Sequence, residues 1–376
     1  GKNLRGLKND EIFRVKPETK VQIDQLRNTL NGYYLLYKNE KDPIKKLKIK
    51  VTVALTHFNI AKALIYDSPR GKEAAVKDLE SADKYFNEAL ADKNLPQDEK
   101  GKAQYYKGLV LLEKNDATVA REYFVQALNS SPTNEASASM NLFIAENYFE
   151  NDKFAEALKF YMKGYAKYNS DQKSLAIYKS GWCYLNLQKY PDAEKMFLTL
   201  VGQKWAKDFA KDSIKDLAYV ETQFKTEGEI IIFAKQNLSR DTSVMYQFLL
   251  QALDYLQSQK STVKYAMLFN ELIKLQPTIE GRLQLYLKQL KFHQKEYAST
   301  EPFLDFLTLR KYLIESKATP AGEKYKAFFL DLEEKIKKIV KTHTEAFTNK
   351  VKTPEKIEKV TIEERLKALL EFHLYY

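Results

Sequence analysis

Cysteine is almost missing from this chain: Cys183 is the only one in 376 residues. That excludes a disulfide framework and a thiolate metal site. Histidine is scarce as well, and His57, His293, His343 and His373 lie far apart without metal-ligand spacing. Glycine (12) and proline (10) are few, which argues against a sheet-rich fold with many tight turns and for long helices joined by short loops. Arginine supplies only nine of the 61 basic residues, leaving 52 lysines behind a net charge of +11. Bidentate phosphate and base contacts favour Arg, so the basic excess reads first as solvated helix faces. Weak attraction to acidic proteins, lipid headgroups or envelope polymers is the alternative. No apolar run approaches the length of a membrane span. Gly-x-Gly-x-x-Gly and Gly-Lys-Ser/Thr phosphate loops are absent, as is a Gly-x-Ser-x-Gly elbow. The chain opens at Gly1 without Met, as expected where a leader has been removed or left out, and location cannot be read from an absent signal.

What the sequence does contain is periodic. Hydrophobic residues make up 44% and charged residues 30%, the balance of a folded, soluble chain. Aromatics reach 13%, with 25 Tyr and 21 Phe, which suits helix pairs interlocked by large side chains. Gly108 is followed by Ala120, Phe124, Ala127 and Pro132; Ala145 by Tyr148, Ala157, Tyr161 and Gly164; Gly181 by Tyr184, Ala193 and Phe197. The small residues fall where two antiparallel helices approach, the aromatic fills the gap between them, and Pro ends the second helix. An earlier unit runs through Ala61, Ala82, Phe86 and Ala89, with extra residues around Ser68–Gly71 expected to lengthen its connection. Degenerate pairs follow, one through Leu253, Tyr265, Phe269, Leu272 and Pro277, another from Tyr286 to Phe306. Thr226-Glu227-Gly228 reads as a helix stop, and Ile230-Ile231-Ile232-Phe233 as one buried helix turn. A capping-box pattern at Thr361–Glu364 opens a last helix.

These units resemble the tetratricopeptide repeat. The fold expected is therefore all-α, a right-handed superhelical solenoid of antiparallel helix pairs. The chain divides into a helical cap (1–50), a four-unit array (51–207), degenerate pairs (208–315) and charged C-terminal helices (316–376), which are expected to continue in a longer protein. The resemblance further implies that the first helix of each pair lines a concave groove. On that basis Tyr105, Leu109 and Leu112 come from one unit, Ser139, Leu142, Glu146 and Phe149 from the next, and Leu175, Tyr178, Trp182 and Leu185 from the third. Such a wall, aromatic and apolar with one acid, suits a partner helix or extended peptide; some of its aromatics can equally serve to pack neighbouring helices.

The order Trp205-Ala206-Lys207-Asp208-Phe209-Ala210-Lys211-Asp212, then Ala218-Tyr219, then Thr342-His343-Thr344-Glu345-Ala346-Phe347-Thr348, is similar to that of periplasmic tetratricopeptide proteins linked to adventurous gliding motility in deltaproteobacteria. The similarity implies a periplasmic scaffold in an envelope-spanning assembly, with a cytoplasmic location as the alternative. Chemistry finds little support. Cys183 lies inside a first helix and reads as core. His343 and Glu345 are two apart and do not share a helix face. The expectation is a non-enzymatic protein-binding scaffold without cofactor or metal, with envelope or membrane-complex proteins as partners and no specific nucleic acid. An anionic polymer held on the Lys faces is the competing reading.

Overall fold

The computed structural model describes residues 16–67, 70–131, 135–259 and 266–293, together with isolated helical positions between 308 and 342. Among the described residues there are fourteen α-helices and two 3-10 turns, and no strand. Pro132, Tyr265, Phe306, the His343 stretch and the expected helix from Thr361 lie outside the described residues. The chain divides into two compact units, before and after the Phe209–Ala210 bond.

In the first unit α1 (Pro17–Asn39) precedes four helix pairs: α2 (Pro43–Asp67) with α3 (Gly71–Leu90), α4 (Gln97–Glu113) with α5 (Ala117–Ser130), α6 (Ser137–Glu150) with α7 (Phe154–Gly164), and α8 (Ser170–Asn186) with α9 (Tyr190–Leu200). Partners within a pair pack most extensively, and each second helix packs on the next first helix. This is the nearest-neighbour stacking of a solenoid. The repeat positions form its core. Gly108, Ala145 and Gly181 are buried, as are Ala120, Ala157 and Ala193 and the aromatics Phe124, Tyr161 and Phe197. Cys183 is fully buried too, and burial, with the Glu146 charge, pushes its thiol up to about 12. It is core, as its position in a first helix suggests.

A device common to three pairs joins the helices. Asn115, Asp152 and Gln188 have φ of 63°, 57° and 58°, each seven residues after its anchor. The backbone N–H that follows each of them returns to the first helix: Asp116 to the Leu111 carbonyl at 2.9 Å, Lys153 to Tyr148 at 2.9 Å, Lys189 to Tyr184 at 2.8 Å. The left-handed residue ends one helix and turns the chain by the same amount each time. The second helices then start on local signals. Asp116 accepts from the Val119 N–H, and Pro191 stands in the first turn of α9.

Two sequence-based boundaries need correction. α2 begins at Pro43 and continues through residue 50, so the cap is α1 and a cut at 50 would divide a helix. The stretched first unit has no long connection either: α2 ends at Asp67 and α3 begins at Gly71. Its extra residues instead add about two turns to the start of α3, because Lys72-Glu73-Ala74-Ala75 carries good helix formers with Ala75 buried against the core.

α1 is fastened to this array by a polar chain. Asp78 of α3, buried, accepts two hydrogen bonds from Arg27 of α1, at 2.9 and 2.6 Å. His57 of α2 joins its Nδ1 to Asp78 at 2.8 Å and its Nε2 to the Tyr34 hydroxyl of α1 at 2.7 Å. Burial pushes the Asp78 carboxyl up, but the hydrogen bonds and charge of His57 and Arg27 outweigh it and hold the pKa below the ordinary carboxylate value.

The second unit contains most of α10 (Asp208–Phe224), then α11 (Glu227–Asn237), α12 (Thr242–Ser258), α13 (Ala266–Leu275) and α14 (Ile279–His293). Leu253, Phe269 and Leu272 are buried where the degenerate repeat places them. Thr226 is not simply a stop. It is the N-cap of α11 in a capping box with Glu229, whose carboxylate accepts the Thr226 N–H at 2.8 Å. That start carries Gly228 into the helix. Ile230, Ile231 and Phe233 are buried as expected, but Ile232 points outward at 55% exposure, since one helix turn cannot bury four consecutive side chains.

Candidate functional site

The first helices α4, α6 and α8 carry the proposed groove residues, and α6 contacts α8 directly. Tyr105, Leu109, Leu112, Leu142, Phe149, Leu175, Tyr178 and Trp182 are half-buried, and Ser139 is exposed. Each helix thus turns one stripe into its pair and presents a second, partly covered apolar stripe outward. Leu185 departs from the pattern. It is only 9% exposed, so it belongs to the core and not to the wall: it lies one turn beyond Gly181, on the side of α8 that packs on its partner helix.

The half-buried aromatics stand on the second helix of their own pair. Tyr105 lies with its ring centroid 5.9 Å from Phe124. Phe197 carries both Tyr178, edge-on at 5.8 Å, and Trp182, edge-on at 6.3 Å. Tyr178 also packs at 4.9 Å against Phe209. These contacts fix the rings from behind and leave part of each outward. They are the geometry of preformed anchors, held at little further entropy cost.

Glu146 is not a free acid on this wall. It accepts a hydrogen bond from the Tyr161 hydroxyl, whose pKa is raised by burial and by that bond. On its other side Lys179 of α8 approaches at 3.7 Å. The same ammonium lies 4.1 Å from the centre of the Phe149 ring, close enough for a cation–π contact. Lys179 therefore belongs to this candidate surface, and it was not among the residues expected from the sequence. The available signal was its place beside Tyr178, one residue off the assumed groove positions. Glu146 and Lys179 thus compensate each other, and the wall offers a partner mainly apolar area.

Among the described residues no cluster of three or more His, Cys, Asp and Glu is placed to hold a metal ion. Nor is any described helix long and apolar enough to cross a membrane.

No family model and no curated protein matches the chain. Solved structures do resemble it. A tetratricopeptide repeat protein from Parabacteroides merdae is 16% identical, covering 75% of this chain and 98% of that one with a TM-score of 0.36. The C-terminal part of a TPR repeat-containing protein from Cytophaga hutchinsonii is 12% identical, covering 82% and 97% with a TM-score of 0.34. MamA from Desulfovibrio magneticus is 14% identical, covering 55% and 97% with a TM-score of 0.34. The helix pairing described above rests on the chain's own contacts.

Proposed function

We propose that this protein is a non-enzymatic scaffold that holds a helix or extended segment of another protein on the outward stripe of α4, α6 and α8. The observation that carries the reading is the row of half-buried Leu109, Leu142, Phe149, Tyr178 and Trp182, with Tyr178 and Trp182 braced on Phe197. A helix face with no partner gains little from placing large apolar side chains outward, whereas a binding face gains its strongest anchors from them. The partner segment is apolar on one side.

We further propose that the scaffold works in the cell envelope, in the periplasm and within an assembly of the gliding-motility type. Support for that placement is the resemblance of the Trp205–Tyr219 and Thr342–Thr348 stretches. The competing reading, an anionic polymer held on the lysine faces, makes a different demand on salt. Polymer binding falls steeply between 50 and 200 mM salt as counterion release is suppressed, whereas apolar docking changes little. Pull-down from envelope extract across that salt range, with Phe149→Ala and Trp182→Ala beside the parent, tests both. Retention that is steeply salt-dependent and indifferent to both substitutions would overturn the scaffold reading.

A further inference from the structure

A second cleft lies apart from the first-helix face. It opens where the end of α3 meets the start of α4 and the latter half of α5, and its volume is about 520 Å³, within the range of ligand clefts. Lys100 and Gln104 reach it from one side of α4, a different side from that of Tyr105 and Leu109. Asn87 of α3 and Gln126, Asn129 and Ser130 of α5 complete its polar lining, and no carboxylate is among the lining residues. Four carboxamides from three helices therefore converge on one opening.

Their arrangement is built from beneath. Gln104 is buried, and its carboxamide is held at both ends: its oxygen accepts from the Ser130 hydroxyl at 2.8 Å and its nitrogen donates to the Gln126 oxygen at 3.3 Å. With its oxygen occupied, Gln126 keeps its NH₂ for a ligand. Asn87 and Asn129 are exposed beside it. A carboxamide offers a planar donor and acceptor in the same relation as a peptide group. A set of them offers donors and acceptors of the kind that a main chain can pair with. A helical ligand has already paired its own main-chain groups and cannot use them; an extended chain can. Tyr123, in the cleft wall, has one face of its ring 5.6 Å from the Lys107 ammonium, which reduces its use as a stacking platform for a sugar.

We propose that this cleft binds an extended polypeptide segment through its main chain, with little demand on the segment's side chains. The site is independent of the first-helix face, so its failure and the failure of the scaffold reading are distinguishable: Trp182→Ala leaves it unaffected. The probe is the capped peptide N-acetyl-(Ala-Ser)₄-amide added to the full chain, followed by NMR of the side-chain NH₂ groups. The resonances of Asn87, Gln126 and Asn129 shift on titration. The pair Asn87→Ala and Asn129→Ala weakens binding about fivefold, as does Gln126→Glu, each near the net value of one or two hydrogen bonds. All three positions are exposed, and an unchanged melting curve confirms that the fold is kept. A peptide N-methylated at alternate residues, with the same side chains but fewer main-chain donors, binds at least about fivefold less well by the same measure. Equal binding of the N-methylated peptide, no shift at millimolar peptide, or maltohexaose shifting the same resonances in the peptide's place would each overturn the proposal. A free C-terminal carboxylate as an absolute requirement would also overturn it, in favour of an anion site at Lys100.

Discussion

Gly181 and Phe197 touch: a Cβ placed on Gly181 would lie 2.7 Å from Cε1 of the Phe197 ring. Gly108 and Phe124 repeat the relationship at 2.6 Å in the second pair. The ring is packed directly on the backbone of its partner helix, and that sets how closely the two helices lie. Gly181→Ala is expected to cost about 1–3 kcal/mol through overpacking. Phe197 also braces Tyr178 and Trp182, so the same substitution shifts the outward aromatics. Denaturant unfolding of the single variant and of Gly181→Ala with Phe197→Leu checks this. The double variant should be less destabilised than the two single costs added together, and simple additivity would sink the contact as the cause.

The turns between helices supply a change of opposite sign. Gln188 holds φ of 58°, a conformation that costs a side-chain-bearing residue about 1–2 kcal/mol. Gln188→Gly removes that strain and loses part of the gain to the freer unfolded chain, for a net stabilisation of about 0.5–1 kcal/mol. Asn115→Gly at the equivalent turn should gain less, since Asn tolerates the left-handed region. Thermal melts of the two variants, compared with the parent, decide it. A destabilised Gln188→Gly would mean that its side chain contributes something the backbone geometry does not reveal.

Trp182 separates binding from packing. It is half-buried, not enclosed, so Trp182→Ala should cost less than about 2 kcal/mol of stability, below the 3–5 kcal/mol of a fully buried Trp. Partner retention should fall more than about tenfold, near 1.4 kcal/mol. A melting curve and the pull-down, run on the same preparation, give the two numbers. A badly destabilised protein would assign Trp182 to the core.

The fastening of α1 predicts an acid limb. The Asp78 pKa is held below its ordinary value by His57 and Arg27 against the effect of burial. The folded state therefore binds this proton less readily than the unfolded chain. Its contribution is fully present above the unfolded value of about 3.9 and is lost as pH falls through the lower folded value. Asp78→Asn should cost about 2 kcal/mol at neutral pH, the scale of charged hydrogen bonds; the half-exposed Arg27 can rehydrate, which keeps the loss moderate. The variant's stability should also fall less steeply than the parent's below about pH 4. Parallel acid limbs for the two proteins would exclude this carboxylate as the cause.

The sequence alone determined the helix pairs. Gly108, Ala120 and Phe124, or Gly181, Ala193 and Phe197, identify a helix–helix contact because small and large residues recur at spacings that only two packed antiparallel helices satisfy. The face carrying Trp182 and Tyr178 was legible for the same reason, since helix periodicity places them together. Tertiary structure alone decided how that face is finished. Leu185 turned inward, Glu146 was taken up by Tyr161 from another helix and Lys179 from a third, and Lys179 came to rest over Phe149. The left-handed turns at Asn115, Asp152 and Gln188 have no shared residue type, and the carboxamide cleft gathers Asn87, Gln104 and Gln126 from three helices. Periodicity along one helix fixes which residues share a side, but which charge meets which partner depends on the distance between helices. That distance is set by ring-on-backbone contacts such as Phe197 on Gly181.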